Sequence, residues 1–293
     1  MRAVDGVSLS ISRGESFGLV GESGCGKSTL GKLLLRMLEP TAGRVSYQGS
    51  DLGLLSEGDM KGLRPKLQPI FQDADGSLDP RYTVYRLLAE PLQIQGMERR
   101  KIGGMIQDLL GRVNLGTELL ERHPHELSGG QRQRIGLVRA LAMKPDFIVA
   151  DEPAASLDLS VQAQVLDLLN SVRERDGAGL LYVSHNLRMV RLMTQRLAIM
   201  YLGKFMETGD TESFFTKPMH PYSQMLVSSL LSLDPAKRRA RKNMITGEPP
   251  DPSDAPGGCR FHPRCPYRKP LCLHEEPGLK DVGNSTKVAC HLV

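Results

Sequence analysis

Residues 21–29 read Gly-Glu-Ser-Gly-Cys-Gly-Lys-Ser-Thr, which is a glycine, four further residues and then Gly-Lys-Ser. This order is typical of a loop that cradles phosphate groups, provided that the loop connects a strand to a helix. An apolar run of strand length precedes the loop at residues 17–20, and closely spaced leucines follow Lys27. The stretch therefore predicts a strand, a phosphate-binding loop and a buried helix.

Each residue type in this loop suits the binding of an anion. Glycine lets the backbone turn tightly and point its N–H groups inwards, and the following helix adds partial positive charge at its N-terminus. Lys27 can reach the β- and γ-phosphates of a nucleotide, and Ser28 can offer its hydroxyl to Mg²⁺. The predicted nucleotide-binding residues of the loop are Gly21, Glu22, Ser23, Gly24, Cys25, Gly26, Lys27, Ser28 and Thr29.

Composition limits the class of protein. Among 293 residues, 40% are hydrophobic and 24% are charged, and the formal net charge is a mild +5, all ordinary for a globular protein. Tryptophan is absent and aromatic residues make up 5%, so stacking surfaces for single-stranded nucleic acid are scarce. No apolar run reaches the roughly 18 residues of a membrane-spanning helix, and residues 1–10 lack a signal-peptide core. We therefore expect a cytoplasmic protein without nucleic-acid partners.

The chain alternates short apolar runs with stretches of helical spacing. This alternation predicts an α/β fold with a mostly parallel sheet that is covered on both faces. Between residues 83 and 120 the apolar residues recur at helical spacing, which predicts a helical subdomain at about residues 73–143. From about residue 216 proline and basic residues become more frequent. We therefore predict a main domain at residues 1–215 and a C-terminal extension at residues 216–293.

Further motifs follow the loop along the chain. They are Gln72, the stretch Leu127-Ser128-Gly129-Gly130-Gln131, the apolar run Phe147–Asp151 with Glu152 after it, the stretch Ser156-Leu157-Asp158, and His185. Together with the loop they resemble the motifs of the ATP-binding subunits of ABC transporters. The extension, with His220-Pro221-Tyr222 near its start, resembles the oligopeptide and dipeptide importer group, which includes nickel importers. The resemblance covers nearly the whole chain and implies a P-loop NTPase core that binds ATP and Mg²⁺.

The resemblance also implies roles for these residues. Asp151 ends a predicted buried strand, where a carboxylate can bind Mg²⁺ directly or through water, and Glu152 beside it can align or deprotonate the attacking water. His185 ends another strand and can contact the γ-phosphate, while Gln72 can touch both metal and water. The predicted catalytic residues are Glu152, His185 and Gln72, and the predicted Mg²⁺ ligands are Ser28, Gln72 and Asp151.

The Leu127–Gln131 stretch precedes a predicted helix and so offers a second anion site. In the family, this segment closes over the γ-phosphate of ATP that is bound to the opposite subunit. The residues predicted to complete the ATP site in this way are Ser128, Gly129, Gly130, Gln131 and Asp158. The resemblance therefore implies a sandwich of two cassettes that ATP holds together, and hydrolysis separates them to drive the membrane subunits between inward- and outward-facing states.

Two features depart from the family pattern. Ala154 and Ala155 stand where the family commonly has Thr-Ser, but Asp158 is kept, so we expect little loss of activity. Family members usually begin with an extra strand and an aromatic residue that stacks on adenine, and that segment is missing here. We expect a truncated start, a misassigned start or a weaker hold on adenine, because Arg2 and Val4 offer no aromatic face.

Four of the five cysteines lie in the last 35 residues, namely Cys259, Cys265, Cys272 and Cys290, with five, six and seventeen residues between them. Four thiolates can hold an iron–sulfur cluster or zinc, and some members of the group resemble this pattern and are thought to hold a [4Fe–4S] cluster. The spacing lacks the tight pairs of most zinc sites. A cluster, zinc or no metal, and disulfides all stay open. Cys25 is interpreted as a small loop residue, because phosphoryl transfer to water needs no cysteine nucleophile.

The leading hypothesis is an ATPase that energises the import of peptides across the cytoplasmic membrane. A nickel or other small-solute importer of the same family is the first alternative. A soluble ABC ATPase that acts on DNA or ribosomes is less favoured, because the chain has one cassette, no sustained heptads and few basic clusters. A degenerate regulatory cassette is disfavoured, since every hydrolytic position is filled.

The resemblance implies several partners. They are a second ATPase subunit, for which we favour a paralogue, two integral membrane permease subunits and, indirectly, an extracytoplasmic solute-binding protein. Specificity for the solute lies mainly in the membrane and solute-binding subunits of such systems. We therefore expect a peripheral subunit at the cytoplasmic face of the cell membrane.

Overall fold

The computed structural model describes residues 1–71, 78–155, 157–230 and 247–293. The chain divides into two compact units. The first comprises residues 1–10, 16–30 and 182–293, and the second comprises residues 11–15 and 31–181. The phosphate-binding loop therefore belongs to the same unit as the C-terminal extension. The predicted domain boundaries, 1–215 with a helical part at 73–143 and then 216–293, stay a prediction.

The described strands are β1 (Ser16–Val20), β2 (Ser46–Tyr47), β3 (Ser50–Asp51), β4 (Leu67–Ile70), β5 (Phe147–Asp151), β6 (Gly179–Val183), β7 (Arg196–Tyr201), β8 (Lys204–Asp210), β9 (Lys280–Asp281) and β10 (Lys287–Val288). The described α-helices are α1 (Lys27–Leu34), α2 (Glu57–Leu63), α3 (Val84–Ile94), α4 (Arg99–Arg112), α5 (Gly129–Ala142), α6 (Leu159–Asp176), α7 (Leu187–Met193), α8 (Thr211–Thr216), α9 (Pro221–Ser229) and α10 (Leu271–His274). Among these described helices, none combines the length and the apolar character needed to cross a membrane.

In the first unit the strands follow the order β1-β7-β8-β10-β9. β1 and β7 run parallel, whereas β7–β8, β8–β10 and β10–β9 are antiparallel pairs. Only Leu202 and Gly203 connect β7 to β8, and their φ angles are positive, 43° and 83°. So short a connection joins antiparallel neighbours, because a parallel pair needs a crossover of about a dozen residues or more. The sheet is thus mixed, because β8, β10 and β9 add antiparallel pairs beside the predicted parallel pairing of β1 with β7.

The strand in front of the loop is buried over its whole length. All five residues of β1 are buried, and the backbone N–H of Ser16 donates to the Gln195 side chain at 2.7 Å. Burying Phe17, Leu19 and Val20 contributes about 2 kcal/mol each to stability. α1 begins at Lys27, directly after the glycine-rich loop. The predicted succession of strand, loop and helix is therefore confirmed.

The second unit combines parallel strands with a group of helices. β4, β5 and β6 are neighbours in that order, and β4 and β5 run parallel. Helices α3, α4 and α5 pack against one another. Ile102, Ile106 and Leu110 lie four residues apart and are the buried residues of α4. This spacing gives α4 one apolar face, as an amphipathic helix requires.

The C-terminal extension packs around a buried aromatic cluster in the first unit. Tyr201 of β7, Tyr222 of α9 and Phe261 form this cluster, with ring centroids 5.0–5.4 Å apart. Each of the three is at most 1% exposed. The extension also adds β10 to the sheet, where Val288 lies opposite Glu207 of β8. Apolar burial and strand pairing therefore fix the extension to the unit that carries the loop.

Candidate nucleotide-binding site

The loop between β1 and α1 has a backbone conformation that requires glycine at position 26. Gly26 has a φ of 107°, and a Cβ atom there would lie less than 3.0 Å from the Ala3 carbonyl oxygen. A side chain would therefore be strained both by the backbone and by the contact. The Cys25 carbonyl accepts a hydrogen bond from the N–H of Gly203 at 2.8 Å. The N-terminal segment and the β7–β8 turn thus support the loop from outside.

Lys27 directs its ammonium group onto the loop. Its Nζ donates hydrogen bonds to the carbonyl oxygens of Gly21 and Glu22, both at 2.8 Å. The unpaired N–H groups at the start of α1 add partial positive charge to this cation. Positive potential is thereby concentrated where the sequence predicts phosphate, and the arrangement can bind the β- and γ-phosphates of a nucleotide.

Cys25 lies inside the loop and is 2% exposed. Its Sγ is 3.7 Å from the Nζ of Lys27. Burial raises the pKa of the thiol, and the opposing effect of Lys27 does not cancel it. The thiol is therefore neutral near pH 7, and a neutral buried thiol is a poor nucleophile. This agrees with the interpretation of Cys25 as a small residue that fills the loop.

Glu22 is held by two residues of the C-terminal extension that sequence reasoning missed. The Arg264 guanidinium donates to both carboxylate oxygens of Glu22, at 2.7 and 3.0 Å. The Tyr222 hydroxyl accepts a hydrogen bond from the backbone N–H of Glu22 at 3.2 Å. Burial lowers the pKa of Arg264, but the hydrogen bonds to Glu22 and Tyr201 outweigh burial and the net shift is upward. The sequence carries no signal for this pair, because 242 residues separate its members.

In the second unit, Asp151 and Glu152 lie where the sequence predicted them, at the end of β5. Both are buried, at 7% and 8% exposure. Glu152 has a φ of 51°, a left-handed backbone that is costly for a residue other than glycine. The side-chain amide of Gln133 in α5 donates to the Glu152 carbonyl at 3.2 Å. Gln133 therefore supports a strained residue at a predicted catalytic position, a role that the sequence did not reveal.

The Leu127–Gln131 stretch leads into α5 and includes its first residues. The Ser128 hydroxyl accepts from the N–H of Gln131 at 3.2 Å, and the Gln131 side-chain oxygen accepts from the N–H of Ser128 at 2.9 Å. This reciprocal pair is a capping box, and it leaves Ser128 and Gly129 exposed to solvent. The stretch thus presents a capped helix N-terminus at the surface, and its predicted contact with ATP on an opposite subunit stays a prediction.

Asp158 caps the next helix, α6. One carboxylate oxygen accepts from the N–H groups of Ser160 and Val161, at 3.1 and 3.0 Å. The hydrogen bond from the Ser160 hydroxyl is the main cause that lowers the pKa of Asp158. Asp158 is therefore an ionised helix cap at the surface, and its predicted part in the ATP site stays a prediction.

His185 follows β6 and is exposed, next to Asn186, which caps α7. Ligands of parallel α/β sheets bind at the carboxyl ends of strands, so the position suits contact with a phosphate group. Its predicted role as a γ-phosphate sensor stays a prediction. Gln72 and Ser156 lie outside the residues that the structure describes. The predicted roles of Gln72 in catalysis and Mg²⁺ binding therefore stay predictions.

The four C-terminal cysteines lie close together as unbridged thiols. Cys259, Cys265, Cys272 and Cys290 are all free, and the backbone N–H of Cys259 donates to the Cys272 carbonyl at 2.9 Å. Burial, with the charges of the other three thiols, raises the pKa of Cys259 to about 11. Within the described part of the chain, no group of three or more His, Cys, Asp or Glu is placed to hold a metal ion. The iron–sulfur cluster that the sequence left open is therefore not supported, and the four described thiols form no disulfide.

Comparison with known protein families agrees with this geometry. The sequence pattern of the ABC transporter family matches residues 4–155, and the pattern of the oligopeptide/dipeptide transporter C-terminal region matches residues 206–272. The chain belongs to the ABC transporter ATP-binding family. It is an ABC ATPase, as the order of its motifs indicated.

A curated relative matches over the full length of this ABC ATPase. The oligopeptide transport ATP-binding protein AppF of Bacillus subtilis is 43% identical over 295 aligned residues, which cover 100% of this chain and 90% of AppF. The sequence-based resemblance to the oligopeptide and dipeptide importer group is therefore confirmed.

Solved cassettes share the fold. The dimeric post-hydrolysis structure of the ATP-binding cassette MJ0796 with ADP and Pi matches with a TM-score of 0.67 and 28% identity, covering 71% of this chain and 90% of that one. A second match is cbiO1 from Clostridium perfringens, part of the ABC transporter complex cbiONQ. Its TM-score is 0.64 at 26% identity, with coverage of 73% of this chain and 84% of that one. The fold is thus the ABC cassette fold within the P-loop NTPase class.

Proposed function

We propose that this ABC ATPase hydrolyses ATP to energise the import of peptides across the cytoplasmic membrane. The observation that carries the proposal is the match of residues 206–272 to the C-terminal region of oligopeptide and dipeptide transporters. That region packs against the loop-bearing sheet through Tyr222 and Phe261, whose rings contact Tyr201 of β7, so it is an integral part of the folded chain. The naming of AppF as an oligopeptide transport protein supports the same solute class.

In the proposed reaction the loop of residues 21–29 binds the nucleotide phosphates. Lys27 exchanges its hydrogen bonds to loop carbonyls for bonds to the β- and γ-phosphates. Water attacks the γ-phosphorus, the bond to the β–γ bridging oxygen breaks, and ADP and phosphate leave. Glu152 aligns this water and accepts its proton, while His185 contacts the γ-phosphate. Gln72 is proposed to orient the same water.

The oxygen atoms of Ser28 and Asp151 fit Mg²⁺. The ion prefers hard oxygen ligands, and these residues offer a hydroxyl and a buried carboxylate that is 7% exposed. Gln72 is the third proposed ligand. When bound, Mg²⁺ would supply the positive charge that stabilises the negative charge developing on the phosphate oxygens. The residues then serve to hold the metal and the nucleotide in one orientation.

We further propose that hydrolysis requires a second cassette, for which a paralogue is favoured. The exposed, capped N-terminus of α5 at Ser128–Gln131 suits an anion presented from outside the chain. Asp158, exposed at the start of α6, is proposed to face the same partner. The remaining partners are two membrane permeases and, indirectly, a solute-binding protein, with this subunit peripheral at the cytoplasmic face.

The function is tested with the full chain assembled with its permease subunits. We expect MgATP hydrolysis that peptide-loaded binding protein stimulates, together with peptide uptake into vesicles. Glu152→Gln keeps MgATP binding but lowers turnover by about 100- to 10,000-fold, because the general base is lost. Glu174→Gln changes a carboxylate that is 67% exposed, and it serves as the matched control. Unchanged turnover in Glu152→Gln contradicts the catalytic assignment, and uptake of nickel without peptide contradicts the solute class.

A further inference from the structure

We propose that Arg264 of the C-terminal extension is a positioning residue for ATP binding, which neutralises Glu22 inside the phosphate-binding loop and holds its carboxylate away from the phosphates. The inference rests on the proposed function, because it concerns the same nucleotide. It gives the extension a direct effect on the affinity of the cassette for ATP.

An acidic side chain at the second position of a phosphate-binding loop needs compensation. Lys27 brings one positive charge to the loop and Glu22 brings one negative charge, so the two alone cancel. Arg264 adds a second positive charge, which leaves the loop with a net attraction for an anion. Without Arg264, the Glu22 carboxylate would repel phosphate oxygens and compete with them for Lys27.

The geometry of the pair is that of a strong, directed contact. Two parallel hydrogen bonds of 2.7 and 3.0 Å join the guanidinium to the carboxylate. The side chain of Arg264 is 5% exposed and that of Glu22 is 23% exposed, so solvent screens the pair only in part. The guanidinium also donates to the Tyr201 hydroxyl at 3.3 Å. Both orientation and charge are thus set before a nucleotide arrives.

The backbone around Arg264 is rigid enough to keep the guanidinium in place. Arg264 ends a short 3₁₀ helix, His262–Arg264, and its N–H donates to the Phe261 carbonyl at 3.1 Å. Phe261 is fully buried against Tyr201 and Tyr222. Tyr222 in turn accepts the hydrogen bond from the N–H of Glu22. The aromatic cluster therefore anchors both the arginine and the backbone of the residue that it neutralises.

The test measures MgATP affinity of the full chain by calorimetric titration. We expect Arg264→Ala to weaken MgATP binding about tenfold at low ionic strength, and less at 0.5 M salt, because salt screens part of the charge of the half-buried Glu22 carboxylate. Glu22→Gln should bind as well as the parent or better. The double variant Glu22→Gln/Arg264→Ala should recover to within about twofold of Glu22→Gln, since no charge then needs compensation. At saturating ATP, the kcat of Arg264→Ala, measured with the permease subunits, should stay within about twofold of the parent value. The substitution should instead raise the KM for MgATP.

Two further variants keep the test decisive. Arg191→Ala removes an arginine with the same two-bond contact to a glutamate, at 3.0 and 2.7 Å to Glu212, on the exposed surface away from the loop. It should leave MgATP affinity unchanged. Arg264→Lys keeps the positive charge but loses the two-bond contact, so it should bind MgATP more tightly than Arg264→Ala and less tightly than the parent, which tests the inference even where the alanine variant does not fold.

Three results would overturn the charge compensation of Glu22 by Arg264. A double variant as weak as Arg264→Ala, or an Arg264→Lys variant as weak as Arg264→Ala, overturns charge compensation. Equal loss of affinity in Arg191→Ala also overturns it. If the parent binds and hydrolyses MgATP while Arg264→Ala binds equally well, this inference fails and the proposed function stands. If the parent itself binds no MgATP, the proposed function fails.

Discussion

Replacing Gly26 by alanine tests whether the shape of the loop depends on its contact with the N-terminal segment. The new methyl group would lie less than 3.0 Å from the Ala3 carbonyl oxygen, at a φ of 107°. The left-handed backbone costs about 1–2 kcal/mol for a residue with a Cβ, and the overpacking costs a further 1–3 kcal/mol. We therefore expect the free energy of unfolding to fall by about 2–5 kcal/mol.

Gly24→Ala is the matched control in the same loop. Gly24 has a φ of 77°, also in the left-handed region, but a Cβ there would meet no atom within 4 Å. Only the backbone cost applies, so we expect a loss of about 1–2 kcal/mol. The two variants differ in the contacts that Gly26→Ala alone would make, chiefly with the Ala3 carbonyl oxygen and also with the flexible end of the Met200 side chain. For a chain of this size, a difference of about 2 kcal/mol lowers the melting temperature of Gly26→Ala by about 4–8 °C relative to Gly24→Ala.

The assay is thermal unfolding of the full chain followed by circular dichroism, with MgATP turnover measured in parallel. Relief of the contact in Gly26→Ala displaces the loop, and a displacement of about 1 Å can cost about 100-fold in rate. Melting temperatures of Gly26→Ala and Gly24→Ala within about 1 °C of each other, with equal turnover, would refute the reasoning. The contact with Ala3 would then not determine the shape of the loop.

Three further predictions concern the buried polar groups. Gln133→Ala should lower the free energy of unfolding by about 1 kcal/mol and should also lower kcat, because the Glu152 carbonyl keeps the Ala155 N–H but loses its side-chain donor. Gln162→Ala, which removes a side-chain donor to the Ala154 carbonyl, should lower stability without lowering kcat. Burial lowers the pKa of His220 from 6.5 to about 3, so the unfolded chain binds one more proton between these values. As the pH falls from 5.5 to 4.5, the free energy of unfolding, measured by urea unfolding, should therefore fall by about 1.3 kcal/mol. The variant His220→Asn keeps a helix-capping side chain but does not titrate, so its stability should lack this dependence on pH. Burial raises the pKa of Cys259 to about 11, so iodoacetamide should modify Cys259 about 100-fold more slowly at pH 8 than free cysteine, as peptide mass spectrometry would measure. Modification of Cys259 at the rate of free cysteine, or the same slope in His220→Asn, would contradict the corresponding prediction.

The sequence predicted those features that depend on neighbours along the chain. The strand before the loop, the glycine-rich turn and the helix after Lys27 occupy contiguous residues, and local backbone chemistry specifies each of them. The carboxylates Asp151 and Glu152 were likewise placed at a strand end, because an apolar run that stops at two acids is visible in the sequence. The ordered motifs were also sufficient to identify the family.

Features that join distant parts of the chain required the tertiary structure. The alternation of strands and helices predicted the parallel pairs, but nothing in the apolar runs of the sequence records that β8, β10 and β9 pair antiparallel. The left-handed backbone of Glu152 and its support by Gln133 depend on packing in three dimensions. Four cysteines in the extension left a metal centre open, and only the structure could show that no metal-holding group forms among the described residues.

The contact between Arg264 and Glu22 shows the physical reason most clearly. The sequence alone determined that a phosphate-binding loop follows β1, because every residue of that motif acts within a few positions of the next. It assigned no role to Arg264, because an ion pair across 242 residues leaves no periodicity or spacing to read. Only the folding of the extension around Tyr201, Tyr222 and Phe261 brings the guanidinium to the loop. Local chemistry thus defined the loop, and long-range packing decided which charges surround it.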